Sequence, residues 1–311
     1  MDGLLNVSSN PHIRSKQTTS SIMLLVIIAL LPSAGYGIFR FGVNALVLIT
    51  LSVGGAVLFE FLFDLITKKK NTVGDFSAIV TGLLLAMNLP PKAPWWIALV
   101  GSFFAIVVVK MLFGGLGQNF MNPALGARCF LVISFASIMT NFDTDTMSGA
   151  TPLAVLKAGE KVDLVAMLVG KTQGTIGETC AITLLAGGCF LILCGVIDFI
   201  IPVTYIGMTL LFVGLFSPYG FDPTYIAGHF LGGGLLLGAI FMATDYVTRP
   251  ITKLGQFIYG IILALLTAVF RVFGPSAEGV SFAIILGNLL VPLIDKFTKP
   301  AYFGKGAVKN D

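Results

Sequence analysis

Between Ser21 and Phe297 the chain offers ten apolar segments, and that one feature rules out most folds open to 311 residues. They run over about 21 to 39, 42 to 66, 76 to 91, 94 to 113, 121 to 140, 178 to 197, 199 to 216, 225 to 244, 254 to 273 and 279 to 297. A helix needs about 20 mostly apolar residues to cross the hydrocarbon core of a bilayer, so these segments qualify or nearly qualify as spans. A water-soluble globule would have to cover them with charge, yet charged residues make up 11% of the chain where about 25% is usual. The expected fold class is an all-α polytopic membrane protein of about ten transmembrane helices, with the lipid bilayer as its solvent.

Basic residues are retained on the cytoplasmic side of a membrane. With the first segment starting inside, the inner ends collect Arg14, Lys16, Lys68, Lys69, Lys70, Lys110, Arg128, Arg249, Lys253, Lys296, Lys299, Lys305 and Lys309, which is 13 of the 19 basic residues. Arg40, Lys92, Lys157, Lys161, Lys171 and Arg271 fall outside, three of them in one long loop where the rule is weaker. Both termini are predicted to be cytoplasmic, as a lead-in over 1–20 and a tail over 298–311. The lead-in is polar, and no small-residue cleavage site follows the first apolar run, so it is expected to stay attached. A net charge of +4 is small for this length and suggests no nucleic-acid partner. Cys129, Cys180, Cys189 and Cys194 lie in apolar runs at spacings that suit neither a zinc site nor an iron–sulfur cluster. They are expected to be small buried hydrophobes, and no metal site is predicted.

The loop 141–177 is the one extended polar stretch between spans, it falls outside, and it divides the chain into halves 21–140 and 178–297 of five segments each. The halves echo one another. The run 81–91 (TGLLLAMNLPP) and the run 238–250 (GAIFMATDYVTRP) both break from apolar residues into Asn88 or Asp245 before proline. The fourth segment ends in Lys110 to Gly114 and the ninth in Arg271 to Gly274. With an odd number of spans per half, equivalent helices cross in opposite directions, giving two inverted five-helix repeats of the transporter kind with Asn88 and Asp245 paired near the axis. Gly and Pro are common in membrane helices generally, which is the other source of such a match.

The exterior loop contains Asp145-Thr146-Met147-Ser148-Gly149-Ala150-Thr151-Pro152-Leu153. Small residues ending in an exposed threonine present an accessible hydroxyl on flexible backbone, which an ordinary turn does as well. Ser148-Gly149-Ala150-Thr151, with Asp145 before it, resembles the flavinylation motif of the D-type subunit of Rnf complexes and of its relative, the B-type subunit of the sodium-pumping NADH:quinone oxidoreductase. The motif departs at Thr146, where that family often has glycine. Other stretches are similar to the family in order along the chain: Lys110 to Asn119 followed by Phe120 to Ala124, Met242 to Tyr246 with Arg249-Pro250, and Arg271 to Gly279 with Asn288 and Pro292 to Asp295. The length and short N-terminal segment bring the likeness nearer to the Rnf protein than to the quinone-reductase one.

That resemblance implies FMN moved from FAD by a flavin transferase onto Thr151 as a phosphoester, and a second, noncovalent flavin such as riboflavin among the helices. It further implies partnership with the other Rnf subunits, in the cell (inner) membrane, in electron flow between ferredoxin and NAD coupled to Na⁺ or H⁺ transport. Physical reasoning adds candidates for the ion or cofactor path. Gly114, Gly115 and Gly117 allow a turn or close helix packing, and Asn119 and Asn122 bring donors and acceptors beside them. Ionisable residues within apolar spans default to functional candidates. Here they are Glu60, Asp64, Lys110, Arg128, Glu178, Asp198, His229, Asp245, Arg271, Glu278 and Asp295. Asp245 and Glu278 stand out because each adjoins a break, whereas His229 reads as a packing residue. A stand-alone channel or secondary transporter is the competing function, and a purely structural anchor for redox subunits a third.

Overall fold

The computed structural model describes residues 17–69, 71–142, 149–274 and 279–300. Asp145, Thr146, Met147 and Ser148 of the loop motif lie outside the described residues, as do Glu278, Arg14, Lys16, Lys70, Lys305 and Lys309. Every regular element among the described residues is helical.

The first helix, α1 (Thr19–Phe41), starts at a reciprocal cap in which Thr18 accepts from the Ser21 amide and the Ser21 hydroxyl accepts from the Thr18 amide. It is followed by α2 (Val43–Thr67), α3 (Ser77–Met87) and α4 (Trp95–Phe103), which continues directly as a π-helix over Phe104–Met111. Next come α5 (Pro123–Ser134) and the single turn α6 (Ala136–Met139). Two short helices, α7 (Pro152–Lys157) and α8 (Leu164–Val169), occupy the central loop. The second half holds α9 (Ala181–Leu193), α10 (Ile200–Phe216), α11 (Pro223–Leu231), α12 (Leu235–Leu237) running into a π-helix over Gly238–Met242, α13 (Lys253–Phe273) and α14 (Val280–Thr298).

Four of these, α1, α2, α13 and α14, are long and apolar enough to cross a membrane, and Pro223–Leu231 with Leu235–Met242, bent by 57°, makes a fifth if counted as one broken span. The protein is a multi-pass membrane protein of all-α class. Several predicted segments are shorter as helices than as apolar runs. The third ends at Met87 because Pro90 and Pro91 lack the N–H that would continue the ladder. The fifth breaks at Phe135, and the sixth begins only at Ala181. The eighth is interrupted by Gly232, Gly233 and Gly234, the last two at φ 66°, a backbone region open to glycine at little cost.

Within the first half α2 packs on α3 and α4, and within the second α10 packs on α13. The halves are joined by α1 against α9 and by α5 against α14. The first of these crossings is close. A Cβ on Gly187 of α9 would lie 2.4 Å from the carbonyl oxygen of Ala29 on α1. Gly187→Ala is therefore expected to cost about 1–3 kcal/mol by overpacking, read as a lowered thermal midpoint in detergent; an unchanged midpoint would refute this packing.

The central loop is not uniformly an exterior coil. Leu153 and Leu156 of α7 and Met167 of α8 are buried, and the stretch Thr175–Thr179 runs inward among the helices. There Ile176 N donates to Leu89 O at 3.1 Å and Gly177 N to Met87 O at 2.8 Å. The carbonyls freed where α3 stops thus gain partners from a segment that composition alone marks as loop. Among the cysteines only Cys129 and Cys180 are buried; Cys194 is partly exposed and Cys189 lies exposed on α9, correcting the expectation of four buried side chains. The reason is that α9 buries one stripe, through Leu184, Gly187, Gly188 and Leu191, and turns the rest outward.

Candidate functional site

Thr151 is the residue before α7, where proline fills the first helical position, yet its side chain makes no capping hydrogen bond. The hydroxyl is thus not committed to the helix it precedes. Thr151 is half-buried rather than fully exposed. It lies at a narrow cleft shared with Leu153, Gln173, Glu178, Gly232 and Gly233. Beside this cleft opens a groove lined by Gly149, Ala150, Val155, Lys161 and Gln173 among others. Gln173 borders both, and its carbonyl oxygen is buried with no hydrogen-bond partner among the described residues.

The floor of the cleft is the break in the eighth segment. Two charged side chains complement the helix ends that meet there. Arg271 donates from Nη1 to His229 O at 2.6 Å and from Nη2 to Gly232 O at 2.9 Å and Gly233 O at 3.1 Å, so a cation covers carbonyls at the C-terminal end of α11. Glu178 Oε1 would touch a Cβ on Gly234 at 2.3 Å, which puts a carboxylate against the N-terminal start of the following half-helix. His229 packs against Tyr225 with ring centroids 4.5 Å apart and ring planes tilted by 59°, in keeping with a packing role.

Glu178 also faces Arg128 Nη1 at 3.4 Å, with side chains only 6% and 8% exposed. The same Nη1 donates to Asn88 Oδ1 at 2.7 Å. Asn88 in turn lies with Nδ2 3.9 Å from the Met242 sulfur, and Asn122 Nδ2 reaches Met242 O at 3.5 Å. A buried polar chain therefore leads from beneath Thr151 to the far end of the half-helix Leu235–Met242, a length of about 12 Å at 1.5 Å per residue.

At that far end lies a second cavity. It brings together four predicted candidates, Lys110, Asn119, Asn122 and Asp245, with apolar walls that include Leu84, Ile240 and Phe241. Both π-helical stretches border it, through Lys110 on one and Ile240 and Phe241 on the other; π-helical turns recur at functional sites. Asn122 caps α5 by accepting from the Ala124 and Leu125 amides. Asp245 accepts from the Val247 amide and the Thr248 hydroxyl, both at 3.4 Å. Asn88 does not line this cavity but stands behind Met242, against Arg128. Gly114, Gly115 and Gly117 have φ of 122°, 96° and 91°, so their use is to turn the chain after Lys110.

Lys110 is more deeply committed than the sequence indicates. Its Nζ donates to Glu60 Oε2 at 2.7 Å and to Ser77 Oγ at 2.6 Å. Thr72 Oγ1 bridges Glu60 Oε1 at 2.6 Å and Asp64 Oδ2 at 3.0 Å. Sequence reasoning named Glu60, Asp64 and Glu178 only as charges within spans, gave Arg128 and Arg271 no partner and Met242 no role beyond a family-like stretch, and passed over Gln173 entirely. Glu178 carries a signal, an acid beside Gly177 at the entry to an apolar run, whereas an unpartnered amide such as Gln173 has none.

The family model described as NQR2, RnfD, RnfE family matches residues 6–304. The D-type subunit of the Na⁺-translocating ferredoxin:NAD⁺ oxidoreductase complex of Acetobacterium woodii is 48% identical, over 99% of this chain and 98% of that protein. Its counterpart in the proton-translocating ferredoxin:NAD⁺ oxidoreductase complex of Clostridium ljungdahlii is 40% identical, over 97% and 96%. The D-type subunit of the ion-translocating oxidoreductase complex of Actinobacillus succinogenes is 34% identical, over 97% and 99%. A match that runs almost from end to end takes in the Thr151 cleft, the broken span and the inner cavity alike, and the chain belongs to the NQR2, RnfD, RnfE family.

Proposed function

We propose that this chain is the D-type membrane subunit of an ion-translocating ferredoxin:NAD⁺ oxidoreductase complex and relays electrons through FMN held covalently on Thr151. The observation that carries the reading is the end-to-end likeness to proteins named as the D-type component of such complexes. The local structure fits the group. Thr151 has a hydroxyl uncommitted to capping, an open groove lies beside it, and Gln173 offers a buried acceptor without a partner among the described residues. Bound there, FMN supplies the one-electron chemistry, while the protein positions it and tunes its potential. The tether on Thr151 keeps local concentration high without tight noncovalent binding.

The inner cavity is the place we assign to a second, noncovalent flavin such as riboflavin. Ile240, Phe241 and Leu84 offer apolar faces to a planar ring, and Asn119, Asn122 and Asp245 offer polar partners at its edge. Other Rnf subunits supply and remove the electrons, and a flavin transferase loads Thr151. The coupling ion is Na⁺ or H⁺, as the names of the two relatives divide. Asp245→Asn is expected to impair ion-coupled electron transfer more than flavin attachment; ion transport by the reconstituted complex at wild-type rate would return Asp245 to a structural role.

Ten crossings in two inverted five-helix halves suit this reading, the shorter apolar helices completing their spans with the bent or extended pieces beside them. Both termini then lie in the cytoplasm and the Thr151 loop outside the inner membrane, as the basic residues indicate. The bend of 57° in the eighth segment favours a second reading, a stand-alone channel or secondary transporter with its site at a broken helix. Flavin fluorescence of the denatured chain on a gel, after co-expression with a competent flavin transferase, separates the two. A fluorescent band supports the redox reading, and its absence supports the transporter.

A further inference from the structure

The charges beneath the Thr151 cleft do more than the fold requires. Glu178 needs a glycine at 234 and the half-helix start welcomes an acid, yet Glu178 is also held against Arg128, with Arg271 on the other side of the break. Three buried charges, two positive and one negative, thus surround the cleft floor. Charges in so little solvent are weakly screened and act on any charge that changes nearby. A group on Thr151 that accepts one electron gains one negative charge, so its affinity for the electron depends on what lies under it.

We infer that the buried Arg128–Glu178 pair sets the redox potential of the group carried by Thr151, Glu178 lowering it and Arg128 raising it. This rests on the reading that Thr151 carries a flavin. Both side chains are positioning residues, since neither is the point of attachment. Glu178 lines the cleft itself, whereas Arg128 stands behind it, held by Asn88.

The test is a spectroelectrochemical titration of the flavinylated full-length chain in detergent, with Thr151→Ala as the blank. Glu178→Gln removes the negative charge and leaves the guanidinium, so the midpoint potential is expected to rise by at least a tenfold change in the one-electron equilibrium, about 59 mV. Glu178→Gln combined with Arg128→Gln removes one charge of each sign and is expected to return close to wild type. Glu178→Asp keeps the charge and is expected to stay there too. A structural disturbance would grow in the double variant instead of cancelling. An unchanged or lowered potential in Glu178→Gln overturns the inference, as does a double variant shifted as far as the single one or an aspartate variant shifted as far as the glutamine one. In-gel fluorescence of each sample separates the two proposals. No band in the wild type overturns both, while a band with level potentials overturns this one alone.

Discussion

Replacing Thr151 with alanine is expected to abolish covalent flavin while changing the stability of the chain by no more than about 0.5 kcal/mol, the range of surface substitutions away from special features. The expectation of near-neutral stability comes from the geometry. Threonine before a helix ordinarily accepts from an amide in the first turn, and losing that bond costs about 1 kcal/mol. Thr151 makes no such bond. Asn122, which does cap its helix through two amides, is the contrasting case. The check is in-gel fluorescence of the denatured protein beside a thermal melt of the same preparation. Flavin retained in Thr151→Ala would sink the attachment site, and a melt lowered by several kcal/mol would show that the side chain has a structural role.

Lys110→Met is expected to be the most damaging single change to stability. Glu60 is fully buried, Asp64 and Lys110 are 3% and 2% exposed, and Lys110 is the cation that faces Glu60 at 2.7 Å. Removing one partner of a buried pair leaves an uncompensated charge and costs about 3–5 kcal/mol, whereas replacing both is far milder. Lys110→Met with Glu60→Gln should therefore recover much of the loss in a double-mutant cycle read by thermal unfolding in detergent. A single variant within about 1 kcal/mol of wild type, on the scale of an exposed pair, would mean that water reaches the cluster. Lys110 also borders the inner cavity, so the same ion pair fixes one wall of the proposed second flavin site.

Much of the site was legible because its residue types are costly where they occur. Lys110, Asn119, Asn122 and Asp245 are polar groups in or beside apolar runs, and all four meet at one cavity. Asn88 was legible as a polar break but not in its partner. It answers Arg128, which is 40 positions away in the chain. The inward course of Thr175–Thr179 was not legible either, because hydroxyls and glycines read as loop until Met87 and Leu89 are seen to need donors.

The sequence by itself determined that the chain lives in a bilayer, that it is helical, and which family it resembles. These follow from local composition and from short motifs, which do not depend on what packs against them. Only the tertiary structure decided that the eighth segment is two half-helices, with Arg271 at the carbonyl end and Glu178 at the amide end. Only it placed Arg128 between Glu178 and Asn88, and joined the Thr151 cleft to the inner cavity along one short half-helix. The reason is physical. A buried charge is tolerable only beside its partner, and partners brought from 50 or 40 residues apart, as with Arg128 and Glu178, or Arg128 and Asn88, leave no trace in the spacing of a single chain.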